Sequence, residues 1–178
     1  MNSRSGDKYE VLTGEYLRRT VRYDPLTGIF TWLVSCSGIK RKEAGTLSTS
    51  GYIIITINRK LYYAHILAWL YMTNAWPAKQ VDHKNTIEND NRWENLREAS
   101  QGQNQANKGL FLNNTSGFKG VTYVKKLNKF RARLGVEKDR LHLGYFSSAI
   151  KAAIAYDRAA LKLHGEFAFT NFSKENYL

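Results

Sequence analysis

The sequence predicts an α+β protein of two successive modules, and three observations carry that reading. Its apolar residues fall in short runs bounded by Gly, Asn, Asp and Pro, the pattern of small sheets joined by tight turns. One long alanine-rich helical stretch closes the second module. The first module ends in Val81 to Asn107, VDHKNTIENDNRWENLREASQGQNQAN, which brings an acid, an adjacent histidine and several asparagines into close spacing.

Taken in order, residues 1–8 are a polar, loose end. Thr13 to Val21 predicts a short helix with Tyr16, Leu17 and Val21 as its apolar residues. Asp24-Pro25-Leu26-Thr27-Gly28 has turn chemistry, with proline fixing one φ and glycine tolerating a positive one. Ile29–Leu33 follows as a strand, and the polar Ser35–Ser50, with Lys40-Arg41-Lys42, as a loop. The β-branched Gly51–Ile57 is a strand that turns at Asn58-Arg59-Lys60 into a hairpin partner, Leu61–His65. Ile66–Met72 suits a short buried helix ending before Pro77, although periodicity alone does not separate it from a strand. Leu96–Ala99 reads as a return strand, and Ser100 with Gln103 forms a capping box that opens a helix. Residues 109–116 are a linker rich in Asn, Ser and Gly. Three strands follow, Gly120–Val124, Lys129–Val136 and Leu141–Phe146, with turns at Lys126–Asn128 and Glu137–Arg140. The closing helix starts at Ser147 or Ser148 as N-cap and stops at Gly165. The expected organisation is therefore a first domain over 1–108 with its core at about 80–108, a linker at 109–116, a second domain over 117–172 and a tail at 173–178.

Composition narrows the function. At 178 residues and 43% hydrophobic content the chain can bury real cores, and its net charge of +12 with a pI near 9.8 predicts a polyanionic partner. Residues 117–172 hold 11 Lys/Arg against 4 Asp/Glu, so the C-terminal third is the expected phosphate-facing surface. No run approaches the roughly 18 apolar residues of a membrane span, and the N-terminus lacks an apolar signal core. The lone cysteine, Cys36, builds neither a disulfide nor a thiolate metal site. The expected location is cytoplasmic, a host cytoplasm if the gene is carried by a phage, with no membrane partner and no small-molecule cofactor.

The central segment has the parts of a small hydrolytic metal site. Asp82 offers a hard anionic oxygen suited to Mg²⁺, and His83 takes a proton from water near neutral pH. Neighbours on a strand point to opposite faces, so bringing both to one point calls for a twist or bulge. Asn104, early in the following helix, offers an amide oxygen as a second ligand. Two protein ligands leave positions for water and phosphate, as magnesium sites commonly do. Asn95, in the bend before the return strand, is placed to bridge backbone groups and hold the turn.

This stretch resembles the HNH endonucleases, and most closely their phage and intron-encoded (homing) branch. The likeness rests on Asp82-His83, on Asp90-Asn91-Arg92-Trp93-Glu94-Asn95-Leu96, and on Gln103-Asn104-Gln105-Ala106-Asn107. It departs at Asp90, where that family often has asparagine, and at Lys84-Asn85-Thr86-Ile87, which replaces a more glycine-rich turn. The resemblance implies a ββα-metal fold, Asp82 and Asn104 as ligands of Mg²⁺ (or Mn²⁺ in its place), His83 as general base and Asn95 as the bracing asparagine. It extends upstream through GYIIITINRKLYYAHILAW, which makes His65 a candidate to touch phosphate or brace the site; a plain core histidine is the other reading.

In the C-terminal module, Phe130-Arg131-Ala132-Arg133-Leu134 alternates apolar and basic residues, as a half-buried strand with a basic outer face requires. Lys119, Tyr123, Lys125, Lys126 and Arg140 join it as candidate phosphate contacts. Residues Ser116–Phe172 resemble the APETALA2/ethylene-response-factor (ERF-like) DNA-binding domain through Lys119-Gly120-Val121, Leu143-Gly144-Tyr145-Phe146, Ala155–Ala160 and Gly165 through Asn171-Phe172. That resemblance implies DNA contacts from the sheet, at Lys119, Arg131, Arg133, Arg140 and His142, with Tyr156 and Asp157 holding helix to sheet. His142 stands where the plant domains carry tryptophan, and Thr122 where they carry arginine. The combined expectation is a metal-dependent endonuclease on double-stranded DNA, acting as monomer or homodimer. Its rivals are a DNA-binding transcriptional regulator with an inactive nuclease fold and a structured-RNA binder.

Overall fold

The computed structural model describes residues 12–33, 42–110, 114–136 and 139–177. The loose end at 1–8, Cys36, Lys40-Arg41 and the Glu137-Lys138 turn lie outside the described residues. The chain is mixed α and β with small sheets, and it divides into two compact units, Met1–Glu98 and Ala99–Leu178.

In the first unit, α1 (Gly14–Thr20) starts where the Thr13 hydroxyl accepts from Tyr16 N, and it runs directly into β1 (Val21–Tyr23). That strand lies where only the end of a helix is expected. It pairs antiparallel with β2 (Phe30–Trp32) across the Asp24–Gly28 turn, where Asp24 Oδ1 accepts from Leu26 N and Gly28 takes φ +75°. The span 35–50 is not all loop: β3 (Thr46–Leu47) pairs with β4 (Ile53–Ile57), which pairs with β5 (Lys60–Tyr63). Asn58 and Arg59 both have positive φ, the backbone of a two-residue hairpin turn. The helix α2 (Ala64–Thr73) ends on left-handed Asn74. Leu17, Val21, Phe30, Ile55, Leu67 and Leu70 form the core of this unit. The strands β6 (Gln80–His83) and β7 (Leu96–Ala99) pair with each other.

The second unit opens with α3 (Gln101–Asn107), whose capping box is complete: Ser100 Oγ accepts from Gln103 N, and Gln103 Oε1 accepts from Ser100 N. The boundary at Ala99 differs from the expected one after residue 108. The cause is packing: α3 is bonded to the segment after the last helix, with Phe169 N donating to Ala106 O. The C-terminal part of the expected linker is ordered too, since Asn114 Oδ1 accepts from Ser116 N and Gly117 N, and Ser116 Oγ donates to Val121 O. Strands β8 (Val121–Val124), β9 (Lys129–Val136) and β10 (Asp139–Phe146) form an antiparallel sheet in the order β10-β9-β8, with α4 (Ala149–His164) packed on it. Small residues on α4 permit a close approach: Ala152, Ala153 and Ala160 are buried against Val121, Ala132 and Leu134. The stretch expected as a tail is also tied in, for Lys174–Tyr177 is a short helical turn and Tyr177 Oη donates to Asp157 Oδ2 at 2.8 Å.

Candidate functional site

Although they are consecutive on β6, Asp82 and His83 are both buried. Strand alternation gives them different neighbours. The Asp82 carboxylate faces β7, where Arg97 meets Oδ2 through Nη2 at 3.0 Å and Nε at 3.1 Å. The His83 ring lies in an aromatic cluster, 4.9 Å from His65 and 6.0 Å from Tyr52, with Nε2 3.2 Å from Asn91 Oδ1. An amide oxygen facing Nε2 selects the tautomer with the proton there, which puts the basic lone pair on Nδ1. Burial lowers the His83 pKa, and the Asn91 bond with the charges of Asp82, Glu88 and Asp90 works in the opposite direction.

The scaffold fixes Asn91 tightly. Tyr23 Oη donates to its carbonyl at 2.7 Å, and Gly28 packs so close that a Cβ there would stand 2.5 Å from the Asn91 carbonyl carbon. The turn at 24–28 is thus part of the site's support, joined to it across more than sixty residues of sequence.

Asn95 bridges the loop after β6. Its Oδ1 accepts from Asn85 N at 3.0 Å, while Nδ2 donates to Asn85 Oδ1 at 2.9 Å and Asp90 O at 2.7 Å. Asp90 takes both Arg92 Nε and Nη2 on its carboxylate, and those bonds hold its pKa down at about 2. Thr86 adopts φ +63° in this loop, a conformation suited to glycine. His65, on the first turn of α2, stacks on Tyr63 at 5.5 Å, and its Nδ1 has no hydrogen-bond partner among the described residues. Burial first, and then the His83 charge, lower its pKa to about 3, so it is neutral at physiological pH. Asn104 lies on the first turn of α3 in the second unit, its N–H bonded to Ser100 O. Among the described residues no three His, Cys, Asp or Glu side chains cluster as a metal site.

On the sheet of the second unit, Ala132 and Leu134 face α4, so Arg131 and Arg133 point away from it. Register places His142 opposite Arg133, Arg140 opposite Gly135, and Tyr145 opposite Arg131. The His142 and Tyr145 rings are 4.8 Å apart, beside a bulge. Burial, and then the charges of Arg131 and Arg140, lower the Arg133 pKa, the mark of cations crowded on one face. Lys125 and Lys126 are exposed in the turn before β9. Lys119 is placed otherwise: its Nζ donates to Ala106 O and Lys108 O at the end of α3. Tyr123 packs on Phe130 and donates to Asn128 Oδ1, so its hydroxyl is occupied within the turn.

The sequence assigns no site role to Arg97 or Tyr23, names Asn91 only within the motif and marks Gly28 only as a turn glycine. Arg97 carries a signal, a basic residue inside a strand paired with the one bearing Asp82. Nothing local marks Tyr23 or Gly28 as partners of Asn91. No helix among the described residues is long and apolar enough to cross a membrane.

Two classes of known protein match this chain. Residues 62–106, which include Asp82, His83, Asn91, Asn95 and Asn104, match the family model for HNH endonuclease, so an HNH domain is present there. The chain is also similar to plant AP2-type proteins. APETALA2-like protein 2 of Oryza sativa subsp. indica is 41% identical over 69 residues, 38% of this chain and 16% of that protein. The AP2-like ethylene-responsive transcription factor AIL7 of Arabidopsis thaliana is 33% identical over 103 residues, 56% of this chain and 19% of its own length. The chain spans less than a fifth of these relatives.

Proposed function

We propose that the chain is a divalent-metal-dependent HNH endonuclease of the phage or mobile-element branch, directed to duplex DNA by its C-terminal sheet module. The observation that carries this reading is the buried His83, held through Nε2 by Asn91 and adjacent to Asp82, inside the segment that matches the HNH family. A hydrolytic base needs a fixed tautomer and a lone pair near neutral pH; the Asn91 pairing supplies the first and burial of the ring the second. His83 Nδ1 takes the proton of the attacking water. Asn95 keeps the loop after β6 in shape, and Arg97 balances the Asp82 charge.

Asp82 and Asn104 are the proposed metal ligands, as the HNH resemblance implies. Both present oxygen, the donor that Mg²⁺ takes, and Asp82 already balances a positive group in Arg97. When bound, the cation supplies Lewis-acid stabilisation of charge on the scissile phosphate and the departing 3′ oxygen. Arg131, Arg133, Arg140 and His142, with Lys125 and Lys126, form the proposed DNA-facing set. The plant AP2-type relatives, one of the two named as a transcription factor, support that assignment. One site per chain makes nicking by a monomer the simplest activity.

The test is nicking of supercoiled plasmid with Mg²⁺ or Mn²⁺, comparing wild type with His83→Ala. Loss of at least about 100-fold in the variant, with DNA binding kept, is the expected outcome. Duplex binding without cleavage of plasmid or of phage-sized DNA would instead make the chain a DNA-binding regulator.

A further inference from the structure

The C-terminal end of α3 is held from outside the helix. The last carbonyls of a helix have no partner within it. Here Ala106 O accepts from Phe169 N at 3.2 Å and from Lys119 Nζ at 2.6 Å, and Lys108 O accepts from the same ammonium at 2.5 Å. The Lys119 ammonium also lies 5.2 Å from the centre of the Phe169 ring. A cation at this end has the sign that the helix dipole favours.

The other end of Lys119 is fixed as firmly. Its N–H donates to Asn171 Oδ1 at 2.6 Å, and its carbonyl accepts from Asn171 Nδ2 at 3.2 Å. Asn171 in turn donates through N and Nδ2 to Asp157 Oδ1, a fully buried carboxylate on α4. An unbroken line of hydrogen bonds therefore runs from the middle of α4 to the end of α3. Two of the three ammonium protons are committed to it. Burial lowers the Lys119 pKa to about 8, a cost that a lysine kept for solvent-facing phosphate contact does not incur.

We infer that Lys119 is a positioning residue of the cleavage site and not a phosphate contact: it clamps α3, and with it Asn104, onto the C-terminal sheet module. The DNA-binding module then does more than deliver the nuclease, because it holds the helix that supplies the second metal ligand. The inference rests on the nuclease reading for the role of Asn104.

The experiment uses the full chain with Lys119→Met and Lys119→Arg. Hydrogen exchange at residues 101–107, without DNA or metal, reads the clamp. Mn²⁺ affinity and the kcat and KM of plasmid nicking read the site, and duplex affinity in EDTA reads the phosphate contact. In Lys119→Met, α3 should exchange faster, while Mn²⁺ affinity and kcat fall by about tenfold or more. KM and the EDTA affinity should stay within about twofold, and Lys119→Arg should restore what was lost. Weaker EDTA binding with a salt slope reduced by about one would make Lys119 a phosphate contact and overturn the inference. Faster exchange with unchanged Mn²⁺ affinity and kcat would overturn it too, leaving a purely structural tie. A wild type that neither nicks nor binds Mn²⁺ would remove the nuclease reading itself, an outcome distinct from both.

Discussion

A histidine acting as base must be neutral when water arrives, and the surroundings of His83 serve that need. Burial lowers its pKa, so the base stays competent at pH values below the ordinary 6.5 of histidine. Replacing Asn91 by aspartate sets a carboxylate against Nε2 and favours the imidazolium form. The acidic limb of the pH–rate profile for nicking should therefore move to higher pH in Asn91→Asp, while Asn91→Ala should lose about 10- to 100-fold in rate without that shift. His65 makes a second prediction. With its pKa lowered to about 3 against 6.5 in the unfolded chain, the unfolded state binds the extra proton between those values. Its contribution to stability is full above pH 6.5 and is lost as pH falls towards 3, on the order of a few kcal/mol. Urea unfolding of wild type and His65→Phe across pH 7 to 4 should show the variant losing less. At this scale the sequence displayed Asp82, His83, Asn95 and Asn104, because an acid-histidine pair and polar turn residues at these spacings have a local chemistry that can be read. Asn91 and Arg97 were not read as partners, because an asparagine in a turn or an arginine in a strand declares no target until the strands pair.

Turns and caps were the most legible elements, since each is set by a few adjacent residues. The Asp24–Gly28 turn, the Ser100 capping box and the Ser148 N-cap all follow from local chemistry. What lies against a turn is another matter, and two glycines show it. Gly120 has φ +74°, and a Cβ there would stand 2.1 Å from the Tyr156 ring and 2.7 Å from Arg133 O. Gly28 has φ +75°, with backbone atoms of Asn91 and Arg92 within 2.9 Å of the same position. Gly120→Ala should cost about 3 kcal/mol or more in chemical denaturation, through both strain and overpacking. Gly28→Ala should cost a similar amount and also slow nicking, because it displaces the residue that holds His83. A Gly28→Ala variant with normal nicking per folded molecule would separate the turn from the site. The assignment of α3 was the element-scale surprise. Its sequence position beside β7 suggests the first module, and bonds to Lys119 and Phe169, more than ten and more than sixty residues away, tie it to the second.

For the whole chain, the net charge of +12 leads to a further measurable consequence. Charge alone attracts any polyanion, and it is the arrangement of Arg131, Arg133, Arg140 and His142 on the sheet face away from α4 that points to a particular surface. Each phosphate neutralised contributes about −0.9 to the slope of log affinity against log salt. If Arg131, Arg133 and Arg140 all contact phosphate, replacing the three with alanine should make the slope shallower by up to about 3, with affinity falling alike on every duplex. If one or more read base edges instead, the slope should change less, and the variant should lose its preference among sequences. His142 belongs to the second case: its two ring nitrogens suit a base edge and it stands beside Tyr145 at the bulge, so His142→Ala should alter discrimination with little change in slope. Measuring binding isotherms at several salt concentrations in EDTA keeps cleavage out of the experiment. A slope unchanged in the triple variant would place the DNA-facing surface elsewhere on the chain.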